Sequence, residues 1–304
     1  APTADGALLA FAEGRFGGCR PDVSPLTRIM MRRSLDGGVG KAWGPVRTIA
    51  REPVYGLNYP TPIVDTARGV VTLFYAGRTA MWRVTSPDGG ITWSAPANMT
   101  AVAGWRIGMA GGGGGLQLAA GRLIFPCQGN KSRAACFSDD NGVTWRRGED
   151  VPCGPNVAGL NEASLIWDGR GPSTLSMFIR VAGPAGRGHA LATSDDGGQT
   201  WAPAQLLPEI VGPTCQGSIG LGPAGSSTVL VSAPFSRDMS LNGRENVTVW
   251  SVKLPPTGSA SPLHAALAGR LWPCKGAYTG FTADGQLNLF EAGVDFRYAA
   301  IVLA

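Results

Sequence analysis

Ser86-Pro87-Asp88-Gly89-Gly90-Ile91-Thr92-Trp93 decides the fold, because the same string returns three more times between apolar runs. It reads SDDNGVTW from Ser138, SDDGGQTW from Ser194 and, stretched, SLDGGVGKAW from Ser34. Along the chain the four serines stand 52, 52 and 56 residues apart, and a period near fifty means one supersecondary unit per repeat. At that period the chain holds about six units.

The string has its own physical logic. Its aspartate accepts backbone N–H groups, the glycine after it takes a positive φ, and the tryptophan packs back to fix the angle of the hairpin. Asp88, Asp140 and Asp196 are therefore expected to hold turns rather than to catalyse, and the strings lack the remaining ligands of a calcium loop. Between them lie β-branched and aromatic runs such as Val70–Tyr75, Arg122–Pro126, Ser176–Val181 and Val229–Val231, and no long segment carries a 3.6-residue apolar period. Four short strands per unit predict an all-β protein, a six-bladed β-propeller of four-stranded antiparallel blades, with residues 1–304 as a single domain.

Composition narrows the function classes. Hydrophobic residues make up 44% of the chain, so it can bury a core, and the 45 glycines and 23 prolines read as turn material. The net charge is +5, yet the basic residues are scattered without a lysine-rich run or an RNA-binding signature, so nucleic acid is not the expected partner. Only Lys41, Lys131, Lys253 and Lys275 are lysine, which leaves 22 of the 26 basic residues as arginine. A GC-rich genome accounts for such a bias, and so does planar, bidentate recognition of a carboxylate.

No run of eighteen apolar residues predicts a membrane span. The start, without Met and without a basic-then-apolar leader, reads as a mature or trimmed product. Six cysteines without a CxxC pair make zinc unexpected and disulfides possible, with Cys127 and Cys136 flanking a short Gly-Asn connection that can set them face to face. Sequons beginning at Asn98, Asn130 and Asn246 point to a secreted or lysosomal route.

The repeated string is an Asp box, and with the motifs that follow the chain resembles the sialidase (neuraminidase) superfamily of BNR-repeat proteins. LLAFAEGR (Leu8–Arg15), then Asp22, then MRRSLDGG (Met31–Gly38) is similar to the segment after the family's Arg-Ile-Pro motif. There the resemblance makes Asp22 the general acid/base and Arg15 an arginine at the rim of a carboxylate site. YPTPIVD (Tyr59–Asp65) places Asn58 as a substrate-facing polar residue, and GGGGGLQLAAGRLIFPC (Gly111–Cys127) resembles a further family stretch. In GLNEASLIWDGRGPSTLSMFIR (Gly159–Arg180), Glu162 matches the carboxylate that activates the nucleophile and Arg180 a triad arginine. The next triad arginine is best matched by Arg244, with Arg237 its competitor, and Tyr278 in GAYTGFTADGQLNLFEAG (Gly276–Gly293) matches the nucleophile.

The resemblance implies an exo-α-sialidase acting with retention on sialylated glycoconjugates, with no metal and no cofactor. It also implies that Asp22, Glu162, Arg180, Arg244 and Tyr278 meet in one cleft, with the Tyr278 hydroxyl in hydrogen-bond reach of Glu162. His189 and His264 fall in no matched motif and read as ordinary strand or loop residues. The family's Arg-Ile-Pro strand would fall before Ala1, so the domain is expected to lack it and the first arginine of the triad with it. A sialic-acid-binding propeller without turnover, lectin-like, and a trans-sialidase are the alternatives the resemblance leaves open.

Overall fold

The computed structural model describes residues 3–15, 27–36, 42–51, 56–77, 80–100, 109–110, 114–128, 132–183, 186–213, 215–236, 243–281, 287–292 and 295–300. Residues 109–110, 183, 186–187 and those from 275 onward are described by backbone alone. The chain divides into two compact units, Ala1–Asn130 with Ala135–Arg147, and Lys131–Ala134 with Gly148–Ala304.

Three antiparallel sheets belong to the first unit, apart from the first two residues of one strand. The first sheet joins β1 (Leu8–Gly14), β2 (Arg28–Ser34) and β3 (Arg47–Ala50). In the second, β4 (Asn58–Asp65), β5 (Val70–Ala76), β6 (Met81–Ser86) and β7 (Ala97–Asn98) pair in chain order. The third runs β12 (Arg146–Arg147), β11 (Arg133–Ser138), β10 (Leu123–Gln128) and β8 (Met109–Ala110), with β9 (Leu116–Gln117) also on β10.

The second unit holds two sheets. One is β13 (Leu160–Trp167), β14 (Leu175–Gly183), β15 (Gly186–Ser194) and β16 (Gln205–Leu206). The other is six-stranded: β17 (Ser218–Leu221), β18 (Thr228–Pro234), β19 (Glu245–Lys253), β20 (Ala265–Phe281), β21 (Leu287–Ala292) and β22 (Asp295–Ala300).

The all-β antiparallel class follows the sequence, but the blade count does not: the described strands form five sheets, five blades in place of six. The reason lies in β20, 17 residues without a break. Ala265 to Lys275 pair with β19 and Gly276 to Phe281 with β21, so no turn separates what a fifty-residue period divides. Among the described residues β4–β7 and β13–β16 are the four-stranded antiparallel sheets expected, while the first sheet shows three strands, the third five and the last six.

The Asp boxes act as expected. Ser86 Oγ donates to Asp88 Oδ1 (2.8 Å) and accepts from Gly90 N (2.7 Å), while Asp88 takes the Thr92 N–H (2.8 Å) and hydroxyl (2.5 Å). Asp140 and Asp196 repeat the pattern with Thr144 and Thr200. Positive φ falls on Gly89 and Gly90, Asn141 and Gly142, and Gly197 and Gly198. The Thr92 and Thr144 hydroxyls, helped by the backbone N–H of the same threonines, hold the Asp88 and Asp140 carboxyls down at about 2.

Within the first unit, arginines fasten these turns. Arg33 donates to Gly89 O, Arg47 to Gly90 O and Ile91 O, Arg68 to Asn141 O and Arg83 to Gly142 O. A forked guanidinium reaches two carbonyls where an ammonium is a point charge, which gives part of the arginine bias a structural use. Under the turns the core is apolar: Phe74 stacks on Phe125 (4.3 Å) and both meet Trp145 edge-on, and Ile29, Leu57, Leu73 and Val84 pack in a second cluster. In the second unit Phe178, Leu191, Ile219, Val231 and Trp250 are buried together.

Candidate active site

In the second unit the strand pair β13–β14 begins with an irregularity. Leu160 pairs with Val181 and the next partners are Ala163 and Ile179, so β13 carries one residue more than β14 between them. An extra residue of this kind breaks strict alternation and re-aims a side chain. Glu162 sits in that step, its own N–H accepted by Asn161 Oδ1 at 2.8 Å. Its side chain is only 4% exposed, and Oε2 receives Arg180 Nη1 at 2.5 Å. A buried carboxylate requires such a partner, because an isolated charge out of water costs several kcal/mol. Arg180 comes from β14, itself largely covered.

Arg180 is paired in register with His189 of β15. Directly opposed residues of an antiparallel pair project to the same face of the sheet. The His189 ring is fully buried, stacks on Phe178 (4.7 Å, 9°) and donates Nε2–H to Cys215 O at 3.0 Å. Burial chiefly, with the neighbouring Arg180 charge against the Cys215 hydrogen bond, lowers its pKa to about 4 and keeps the ring neutral at working pH.

Tyr278 lies in β20 at a second irregularity: Ala277 pairs with Glu291 and Thr279 with Phe290, so Tyr278 is the extra residue. Its side chain is outside the described residues, as is the whole of Asp22 and of Arg237. The expected Tyr278–Glu162 contact therefore has no described counterpart, and the described partner of Glu162 is Arg180. Arg244 stands half-buried immediately before β19, whose first residue, Glu245, accepts Phe235 N through its carbonyl (3.0 Å).

In the first unit, Arg15 donates both Nε (3.0 Å) and Nη2 (2.8 Å) to Oε2 of Glu13. The same carboxylate accepts Tyr59 N at 3.0 Å. Asn58 is half-buried at the head of β4, where Asn58 pairs with Ala76 and Thr61 with Phe74, a third step of one extra residue. Tyr59 within it has φ 57°, a left-handed conformation unusual for a side chain of its size. Bulges thus fall on three of the segments that carry site motifs.

Two features were not legible beforehand. His189 alternates with Leu191 along an ordinary strand and nothing in its neighbours marks it, and fully buried Arg133 opens β11 after the polar Asn130-Lys131-Ser132, where a charge would be expected at the surface. The cysteines depart from expectation as well: Cys127 and Cys136 are both buried, and no bridge joins them. Among the described residues no three His, Cys, Asp or Glu side chains are grouped as a metal site, and no helix is long and apolar enough to cross a membrane.

Five antiparallel sheets among the described residues, four of them carrying an Asp-box string, with a buried acid–arginine pair on a bulged strand, define a β-propeller of the Asp-box class. The BNR repeat-like domain family matches residues 6–256, and the chain belongs to this BNR-repeat sialidase superfamily. It is similar to the sialidase of Micromonospora viridifaciens, 30% identical and covering 99% of this chain and 50% of that protein. Human sialidase-4 is also 30% identical, over 86% of this chain and 57% of that protein. The chain spans about half the length of these curated relatives. Its fold is shared with the intramolecular trans-sialidase from Ruminococcus gnavus solved with oseltamivir carboxylate, TM-score 0.73 at 17% identity over 93% of this chain and 87% of that one.

Proposed function

We propose that this chain is the catalytic propeller of an exo-α-sialidase that releases terminal sialic acid with retention of configuration. The observation that carries the reading is the buried Glu162–Arg180 pair on the bulge of β13, in a chain of this superfamily. Sialic acid bears a carboxylate on its anomeric carbon, so its site needs guanidinium groups beside the point of attack. Arg180 and Arg244 supply them, with charge-assisted bonds that also orient the sugar. Arg15 and Asn58 are the further binding residues that the family resemblance assigns.

A carboxylate nucleophile would meet the charge of the substrate head-on. A phenol does not, and a tyrosine nucleophile is the known exception to the two-carboxylate scheme of glycosidases. An unassisted phenol, with a pKa of about 10, is a poor nucleophile at working pH. Glu162 serves Tyr278 as base. For this the incoming substrate carboxylate takes over Arg180 and frees Glu162 from the pair it makes at rest. Asp22 protonates the leaving glycosidic oxygen, and after the glycosyl–tyrosine forms it takes a proton from the attacking water.

The test is fluorescence from 4-methylumbelliferyl sialoside, with the product followed by NMR. Release with initial α-sialic acid is expected. Binding of sialic acid without release would mean a lectin-like propeller, and a sialylated or anhydro product in place of free sugar would mean a trans-sialidase. In the same assay Tyr278→Phe should lose turnover by at least about a thousandfold and still bind a sialic-acid analogue, since the hydroxyl is needed for covalent chemistry and the arginines carry the anion.

A further inference from the structure

Arg180 has a neighbour on each side of its strand. On β13 it meets Glu162, and on β15 it is directly opposed by His189. Cys215 O can only accept, so Nε2 of His189 carries the proton and the neutral ring presents Nδ1 as an acceptor. Among the described residues Nδ1 of His189 and Nε of Arg180 are both buried without a hydrogen-bond partner, one an acceptor and the other a donor, on opposed residues of one strand pair. The ring cannot turn away to offer anything else. It is stacked on Phe178, and Phe178 in turn leaves no room for a Cβ at Gly217, two residues beyond Cys215.

We propose that His189 is a positioning residue for Arg180: held as the Nε2–H tautomer by Cys215 O, it walls the arginine off on the β15 side and keeps Nδ1 ready for the Arg180 Nε–H. As the guanidinium moves from Glu162 to an incoming carboxylate, that hydrogen bond fixes the hinge of the side chain while Nη1 and Nη2 swing. A charged acid at 189 would pull the guanidinium toward itself, and an apolar residue would remove the acceptor that Nε–H needs once the guanidinium moves. The proposal rests on the sialidase reading for the identity of the carboxylate, and not for the arrangement of the three side chains.

The experiment compares wild type with His189→Phe, which keeps the stacked ring and loses both nitrogens, and His189→Gln, which keeps a donor for Cys215 O. Circular dichroism and thermal melting establish that each is folded. Turnover of 4-methylumbelliferyl sialoside should show KM raised about tenfold in His189→Phe with kcat within about twofold, the share of one charge-assisted hydrogen bond, and at least partial recovery in His189→Gln. Independently of activity, the Arg180 Nε–H resonance, assigned through Arg180→Lys, should move and exchange faster with water in His189→Phe. A folded His189→Phe with wild-type KM and an unmoved Arg180 resonance overturns the proposal. A wild-type chain that neither turns over nor binds sialic acid overturns the sialidase reading instead, and the arginine resonance still decides the role of His189.

Discussion

Glu162 and Arg180 show how much a single buried charge depends on its partner. The carboxylate is almost wholly covered, so truncating only the arginine leaves a charge in low dielectric, at a cost of about 3 kcal/mol in unfolding free energy. Removing both charges should cost less than the two single truncations added together, because the second removal relieves the penalty of the first. Urea unfolding of Arg180→Ala, Glu162→Ala and the double variant measures this, and strict additivity would mean that the pair is not formed in solution. Arg180→Lys should preserve most of the stability and yet bind carboxylate ligands at least about tenfold more weakly, since an ammonium cannot make the bidentate contact. The place of Glu162 was legible from its motif, whereas its partner was not. Sequence alternation sets which residues share a face, and the extra residue between Leu160 and Ala163 shifts that alternation at the very position in question. Arg15 and Glu13, two residues apart at the end of β1, could be paired from sequence alone because same-face spacing still holds there.

At the level of the element, the Asp-box hairpin was readable in full because everything it uses is local: serine, aspartate, glycine and threonine within seven residues. The arginines that fasten the turns were not readable. Arg83 and the Gly142 carbonyl it meets lie 59 residues apart, and nothing in either segment names the other. The hairpins carry a pH signature with a definite sign. Asp88 and Asp140 titrate at about 2 when folded and near the ordinary value of about 4 when unfolded, so the unfolded chain binds more protons between these limits. Their contribution is complete above about pH 4 and is lost as pH falls through the folded value near 2. Thr144→Val removes the first cause of the Asp140 shift, and its carboxyl should then titrate closer to the ordinary value while Asp88 stays where it was. Carboxyl carbon NMR from about pH 1.5 to about pH 6, a range that spans both limits, follows the two groups in one sample. An unmoved Asp140 would show that the hydroxyl is not what holds it.

For the whole molecule, the period along the chain predicted six blades, and the described strands form five sheets. Spacing between Asp boxes counts residues per unit, and it cannot see whether the chain turns between one unit and the next. After Ser194 no further box marks the count, and there β20 runs 17 residues from one neighbour to the other. The cysteines pose the same problem of distance. Six in number and without CxxC spacing, they allowed disulfides, and the Gly-Asn connection suggested Cys127 with Cys136. In the structure these two are buried on the neighbouring strands β10 and β11 without a bridge between them, and no disulfide joins any of the described cysteines. Among the described residues, stability therefore comes from packed sheets and turns rather than covalent staples. A disulfide closing a loop of this length would add roughly 2–4 kcal/mol that reductant removes. Thermal melting with and without a phosphine reductant is therefore expected to give the same midpoint within about 1 °C, a small fraction of the shift such a bond would produce. Thiol titration of the denatured, unreduced chain should find reactive groups for at least the five cysteines Cys127, Cys136, Cys153, Cys215 and Cys274. A smaller count, together with a reductant-sensitive midpoint, would put a bridge where the structure has none.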